Sequence, residues 1–233
     1  MDSAPLIRKS PIRIVLAISF ITLIFCASSL GQNLMSNDEH MVPTELDITV
    51  TEHFIDVGGR RLHCKTYGTG SPTIVLISGF GAPQWNWNPI VPDLTKSSTV
   101  FTYDRPGYGK SEMGDAPNHG KQAAADLKKL LEETAVPKPY LIVGHSYGCR
   151  VARLFTSLYP DNVAGLILED SQHEDILEAQ KKVLSGKDLE TLEQMAARMA
   201  PPENPRTEFD FTLVTAEQMR KSPPLPDIPY TVL

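Results

Sequence analysis

Five residues near the middle of the chain, Gly144-His145-Ser146-Tyr147-Gly148, are of types and spacing that could carry covalent chemistry. A serine hydroxyl is a poor nucleophile at neutral pH. It attacks a carbonyl only when a base takes its proton and hydrogen-bond donors receive the charge that develops on the carbonyl oxygen. Gly-x-Ser-x-Gly between an apolar strand and an amphipathic helix builds a sharp turn that exposes the hydroxyl at the helix N-terminus. Here YLIV, 140–143, precedes the turn. CRVARLFTSLY, 149–159, follows it, with Val151, Leu154, Phe155 and Leu158 on one side and Pro160 as a stop. Ser146 is therefore expected to be a nucleophile, held in a strained backbone conformation between two glycines that relieve crowding.

The donors are expected from two places. SGFGAPQWNW, 78–87, follows the β-branched run TIVLI, 73–77, and can turn the backbone N–H of Phe80 inward. The N–H of Tyr147, next after the serine, would complete an oxyanion hole. Trp85 and Trp87 in the same loop are candidate walls of a substrate pocket, core packing being the other reading of both.

Positioning these residues calls for a sheet. TIVLI, TVFTY (99–103), YLIV and VAGLIL (163–168) are short apolar runs suited to strands buried on both faces. QAAADLKKLLEET, 122–134, carries Leu127, Leu130 and Leu131 at helical spacing. The alternation predicts an α/β fold with a mostly parallel sheet and helices on both faces. Ahead of it, EHFIDVGGRRLHCKTYG reads as a β-hairpin around Gly58-Gly59. From Glu174 to about residue 211 charged helical sequence and then a proline-rich stretch predict a helical cap inserted over the sheet.

The chain of 233 residues is 41% hydrophobic, which suits one domain with a sizeable core. Its net charge of −6, without a long Lys/Arg block, gives no footprint for nucleic acid. Arg8, Lys9 and Arg13 precede an uncharged run, Ile14 to Leu30, and small residues follow. That order predicts a signal peptide over 1–31 or, if uncleaved, a membrane anchor through 14–30, with a linker over 32–51 and the domain outside the cytoplasm. Membrane contact is expected through that run alone. Cys64 and Cys149 show no framework spacing and read as buried thiols.

The order SGFG, a tryptophan, DRPGYGKS (104–111), GHSYG and LILEDSQHED resembles the α/β-hydrolase family, in particular exported or membrane-associated bacterial hydrolases of its esterase and lipase-like branch. The resemblance runs over 52–233. It implies an α/β-hydrolase fold, Ser146 as nucleophile, the N–H groups of Phe80 and Tyr147 as oxyanion donors, and Asp104 and Arg105 as braces of the loop near the site, a surface salt bridge or turn cap being the other reading of that pair. Two positions depart from the family pattern: Ser78 stands where many members have His, and Cys149 where a second glycine is common.

In this fold the triad runs Ser, acid, His. Asp170, just after the strand that follows the nucleophile helix, is the candidate acid, with capping of the next helix as its other reading. Only His173 follows Ser146, at what reads as a helix start. His145 beside the serine is assigned to packing. The chain thus reads as a hydrolase that stops before its base and lacks the last strands of its sheet.

The expected activity is hydrolysis of a small carboxylic ester or related acyl compound, slow or absent without the base. The alternative is a non-catalytic exported protein that keeps the fold for binding, or a decayed fragment. Peroxidase-like and C–C bond hydrolysis use the same triad and stay open, whereas a dehalogenase would carry Asp at the elbow. Neither metal-ligand spacing nor a dinucleotide loop is present, so no metal and no cofactor are expected.

Overall fold

The computed structural model describes residues 48–198 and 206–233. The signal and anchor expectations for 1–31, and most of the linker expectation, lie outside the described residues. The linker ends earlier than expected, because Val50 and Thr51 already belong to the first strand. No helix among the described residues is long and apolar enough to cross a membrane.

Seven strands form one sheet in the order β1-β2-β4-β3-β5-β6-β7. The hairpin β1 (Val50–Asp56) and β2 (Arg61–Tyr67) is antiparallel, and β2 runs antiparallel to β4 (Thr99–Tyr103). From β4 onward through β3 (Thr73–Ile77), β5 (Tyr140–His145), β6 (Val163–Glu169) and β7 (Tyr230–Val232) every pairing is parallel. All five residues of β3 and of β4 are buried, the condition under which a strand reads as continuous apolar sequence.

Helices cover both faces, as a parallel sheet requires. A short α1 (Val91–Leu94) and the 3₁₀ turn Gln84–Trp87 sit on one face, where Trp87, Ile90, Val91 and Leu94 pack on Tyr67, Ile74, Leu76 and Val100. On the other face α2 (Gly120–Glu133) buries Leu127, Leu130 and Leu131, and α3 (Tyr147–Leu158) buries Val151, Leu154 and Phe155. Each buried leucine contributes about 1.5–3 kcal/mol. Arg60 in the hairpin turn pairs with Asp126 of α2, both buried, and donates to Asn118 Oδ1 at 2.6 Å, which ties the antiparallel end to the helical layer.

The charged segment after β6 forms α4 (Ile176–Val183) and α5 (Gly186–Arg198). A further helix, α6 (Thr212–Arg220), escapes the sequence reading. It buries Thr215, Ala216 and Met219, small or mixed residues that make no apolar stripe, and it packs on α2 and α3. Both described cysteines are free and buried, Cys149 with its thiol pushed up to about 12 by desolvation.

Candidate active site

Going from β3 to β4 the sheet grows in one direction, and with β5 it turns back to the other side of β3. Loops leaving the C-terminal ends of β3 and β5 therefore diverge around a crevice, the place where open α/β sheets bind ligands. Ser78–Phe80 leaves β3 and His145-Ser146 ends β5, with Ile77 in register with Gly144.

The turn at Ser146 is strained: φ is +49° and ψ −117°, a combination that L-residues rarely occupy and that costs about 1–3 kcal/mol. Surrounding structure holds it there. The Ser146 N–H donates to the Glu169 carbonyl at 2.9 Å, and the Cys149 N–H donates to the Ser146 carbonyl at 3.0 Å. Both flanking positions exclude a side chain. A Cβ at residue 148 would lie 2.2 Å from the Ile77 carbonyl oxygen, and one at 144 would lie 2.7 Å from the Gly148 oxygen. Helix α3 can thus approach the sheet closely only with glycine at both sites, and the half-buried serine is left at its N-terminus.

Tyr147 is the first residue of α3, and the N–H of a first-turn residue has no intrahelical partner. The loop after β3 lies directly against the serine: a Cβ at residue 79 would stand 3.4 Å from Ser146 Cβ and 2.7 Å from His145 Nδ1. Among the described residues no backbone carbonyl accepts the Phe80 N–H. The Phe80 and Tyr147 rings meet edge to face at 6.0 Å, and Phe80 meets Phe209 in the same way at 6.0 Å.

Arg105 braces this loop from beneath. It is 1% exposed, and its Nη1 and Nη2 donate to the Ser78 and Gly79 carbonyls at 2.6 and 2.7 Å. Its guanidinium lies 5.4 and 5.5 Å from the ring centroids of Tyr108 and Tyr147. Glu208, also buried, accepts from Nε and, at 3.2 Å, from Nη2. Burial works against the guanidinium charge, and the Glu208 carboxylate more than offsets it, so the Arg105 pKa is raised.

Asp104 fixes the other end of the loop. Its carboxylate accepts from the Gln84 N–H at 2.7 Å, the Lys110 N–H at 3.1 Å and Gln84 Nε2 at 3.1 Å, and it lies 2.7 Å from His63 Nδ1. Burial pushes this carboxyl up, but the hydrogen bonds prevail and hold it below the ordinary carboxylate range. Braces of the loop is the reading that fits Asp104 and Arg105; neither lies on the surface.

Asp170 sits directly after β6 in a left-handed conformation, φ +51°, with its side chain exposed and its N–H on the Leu233 carbonyl. It caps no helix: α4 has Asp175 at its N-cap position. His145, its ring against Gly79, has its pKa lowered by burial, with Asp170 pulling the other way. His173 is 62% exposed and accepts the Asp175 N–H at 3.1 Å. His173, the imidazole that follows Ser146 in the chain, is thus engaged with the Asp175 N–H.

Trp85 and Trp87 part company. Trp85 is 45% exposed, whereas Trp87 is 2% exposed and fills the core beneath α1, so its expected place in a pocket wall is corrected to core packing. With about three residues per 3₁₀ turn, side chains two positions apart leave in directions about 120° apart. Glu208 and Phe209 fall within the 174–211 cap expected over the sheet, but neither residue was singled out from the sequence. They stand more than a hundred positions from Arg105 in a proline-rich stretch, and no local pattern marks them.

The profile described as the alpha/beta hydrolase fold matches residues 72–222, well over half of the chain. A soluble epoxide hydrolase of Corynebacterium sp. (strain C12) is 30% identical over 121 residues, 52% of this chain and 42% of that one. A 2-hydroxy-6-oxononadienedioate/2-hydroxy-6-oxononatrienedioate hydrolase of Klebsiella pneumoniae is 32% identical over 123 residues, 49% and 42% of the two chains. Among solved structures, the epoxide hydrolase CorEH without ligand aligns with a TM-score of 0.58 at 18% identity, over 79% of this chain and 81% of that one. The chain spans less than half the length of the curated relatives it matches.

Proposed function

The chain belongs to the α/β-hydrolase fold family, and within it we propose a serine hydrolase that cleaves a small carboxylic ester or related acyl compound. The observation that carries this reading is the strained, half-buried Ser146 between two glycines that the packing requires. The serine at the elbow supports a covalent acyl-enzyme route, and the ester is the bond proposed for it.

In the proposed reaction the Ser146 Oγ attacks the acyl carbon, and the Phe80 and Tyr147 N–H groups receive the oxyanion. The alkoxide leaves with a proton. Water then attacks the acyl-serine, and the carboxylic acid departs with the serine restored. The positive end of the α3 dipole adds to the stabilisation of the oxyanion. Asp170 is the proposed acid, placed after β6 to orient an imidazole. Trp85, exposed like Phe80, is the proposed apolar wall of the substrate pocket. The proposed setting is outside the cytoplasm, by way of residues 1–31.

A base is the component that the described residues do not bring to Ser146. An oxyanion hole and binding without a complete triad still give about 10³–10⁴-fold over water. Turnover is therefore expected to be slow and confined to activated esters. The exposed His173, engaged with the Asp175 N–H, favours as second reading a fold retained for binding alone. Release of p-nitrophenolate from p-nitrophenyl acetate separates the two. The enzyme reading expects a rate at least about tenfold above that of Ser146→Ala, and equal rates would refute it.

A further inference from the structure

Arg105 reaches both parts of the proposed oxyanion site. Its two Nη atoms grip the carbonyls of Ser78 and Gly79, the residues just before Phe80, and its guanidinium faces the Tyr147 ring. A buried cation with this many duties needs a counter-charge, because an unpaired one would be driven toward solvent. That counter-charge is Glu208, 2% exposed, from the segment that precedes α6.

The segment is built to present it. Asp210 accepts the N–H groups of Arg206 and Thr207 at 2.9 and 2.7 Å, and the Phe211 and Thr212 N–H groups return to the Glu208 and Phe209 carbonyls. The residue after Glu208 touches the same loop from the other side, where the Phe209 ring meets Phe80. Residues 208–209 thus hold the loop by a charge, through Arg105, and by a ring.

We infer that Glu208 is a positioning residue: through Arg105 it holds the Ser78 and Gly79 carbonyls that aim the Phe80 N–H, so that the docked 206–211 segment sets the oxyanion site. The catalytic meaning of this tie rests on the acyl-transfer reading; its mechanical content does not. An ion pair that served only global stability would loosen the whole sheet when broken. One that positions the loop loosens the loop alone.

Amide hydrogen exchange on the full chain distinguishes these cases. The probes are the Ala82 and Gln84 amides, bound to the Gly79 carbonyl at 3.2 Å and to Asp104 Oδ1 at 2.7 Å, with β3 amides as the internal reference. Glu208→Gln is expected to speed loop exchange about tenfold with β3 unchanged, and Glu208→Asp to restore it to within about threefold of wild type. Loop exchange that stays at the wild-type rate in Glu208→Gln, or loop and β3 rising by the same factor, would overturn the inference. If Glu208→Gln does not fold, Arg105→Lys decides. Lysine keeps the charge but cannot bridge two carbonyls and a carboxylate, so loop exchange rises selectively if the inference holds and stays at the wild-type rate if it fails. A wild-type protein with no Ser146 reactivity would remove the acyl-transfer reading and leave the exchange result to stand by itself.

Discussion

Ser146 costs the protein backbone strain, and the two glycines beside it are what the neighbouring backbone leaves room for. Gly148→Ala would push a methyl group into the Ile77 and Ser78 carbonyls, at 2.2 and 2.6 Å. Neither strand β3 nor helix α3 can yield without losing core contacts. A loss of about 3 kcal/mol or more is expected, read as a fall in the urea midpoint at unchanged slope. A midpoint within about 0.5 kcal/mol of wild type would show that the helix stands off the sheet. The sharp turn at Ser146 was legible because strand, turn and helix are contiguous in the chain. Glu208 was not, because its partner Arg105 is reached only by folding, and a glutamate among prolines has the look of solvent-exposed sequence. Trp87 illustrates the opposite failure: an aromatic next to a candidate site reads as pocket lining until the turn directs it into the core.

Among the elements, α2 shows how a cap makes stability depend on pH. His119 is its N-cap, and Nδ1 accepts the Gln122 N–H at 3.1 Å, which only an unprotonated nitrogen can do. Burial, with Lys121 and Arg60 adding to it, holds the His119 pKa below the ordinary histidine value. The unfolded chain then takes up a proton at about pH 6.5 while the folded chain resists. Stability is full above that pH and is lost as the pH falls through the lowered folded value. His119→Asn keeps an acceptor at the N-cap without a titrating group. Its urea midpoint is expected to fall less between pH 7.5 and 5.5 than that of wild type, the remaining slope belonging in part to His145, whose pKa is also lowered. Parallel slopes would remove His119 as a source. Strands β3 to β6 and helices α2 and α3 were legible because apolar runs and a leucine stripe mark burial directly. Helix α6 was not, since it buries Thr215 and Ala216 against α2 and α3 and needs no stripe.

For the molecule as a whole, sheet order decides where chemistry can occur. The reversal at β3 and β5 brings SGFG (78–81) and GHSYG (144–148) to one crevice although they are far apart in the chain, and the antiparallel hairpin supplies His63 to the Asp104 network behind it. The order of motifs made that convergence legible before any coordinates, because each motif ends a strand. A cap over the sheet from 174 to about 211 was expected, but the pairing of Glu208 with Arg105 inside it could not be read in the same way, since it depends on contact across the fold. The account's central claim is that Ser146 is a nucleophile facing an oxyanion site. It is tested most directly by treating the folded full chain with a fluorophosphonate and locating the adduct by peptide mass. The serine proton departs with the fluoride as hydrogen fluoride, and without a base beside Ser146 the adduct is expected to build up slowly. One adduct is expected, on Ser146, absent from Ser146→Ala; a folded protein that carries no adduct there would contradict the claim.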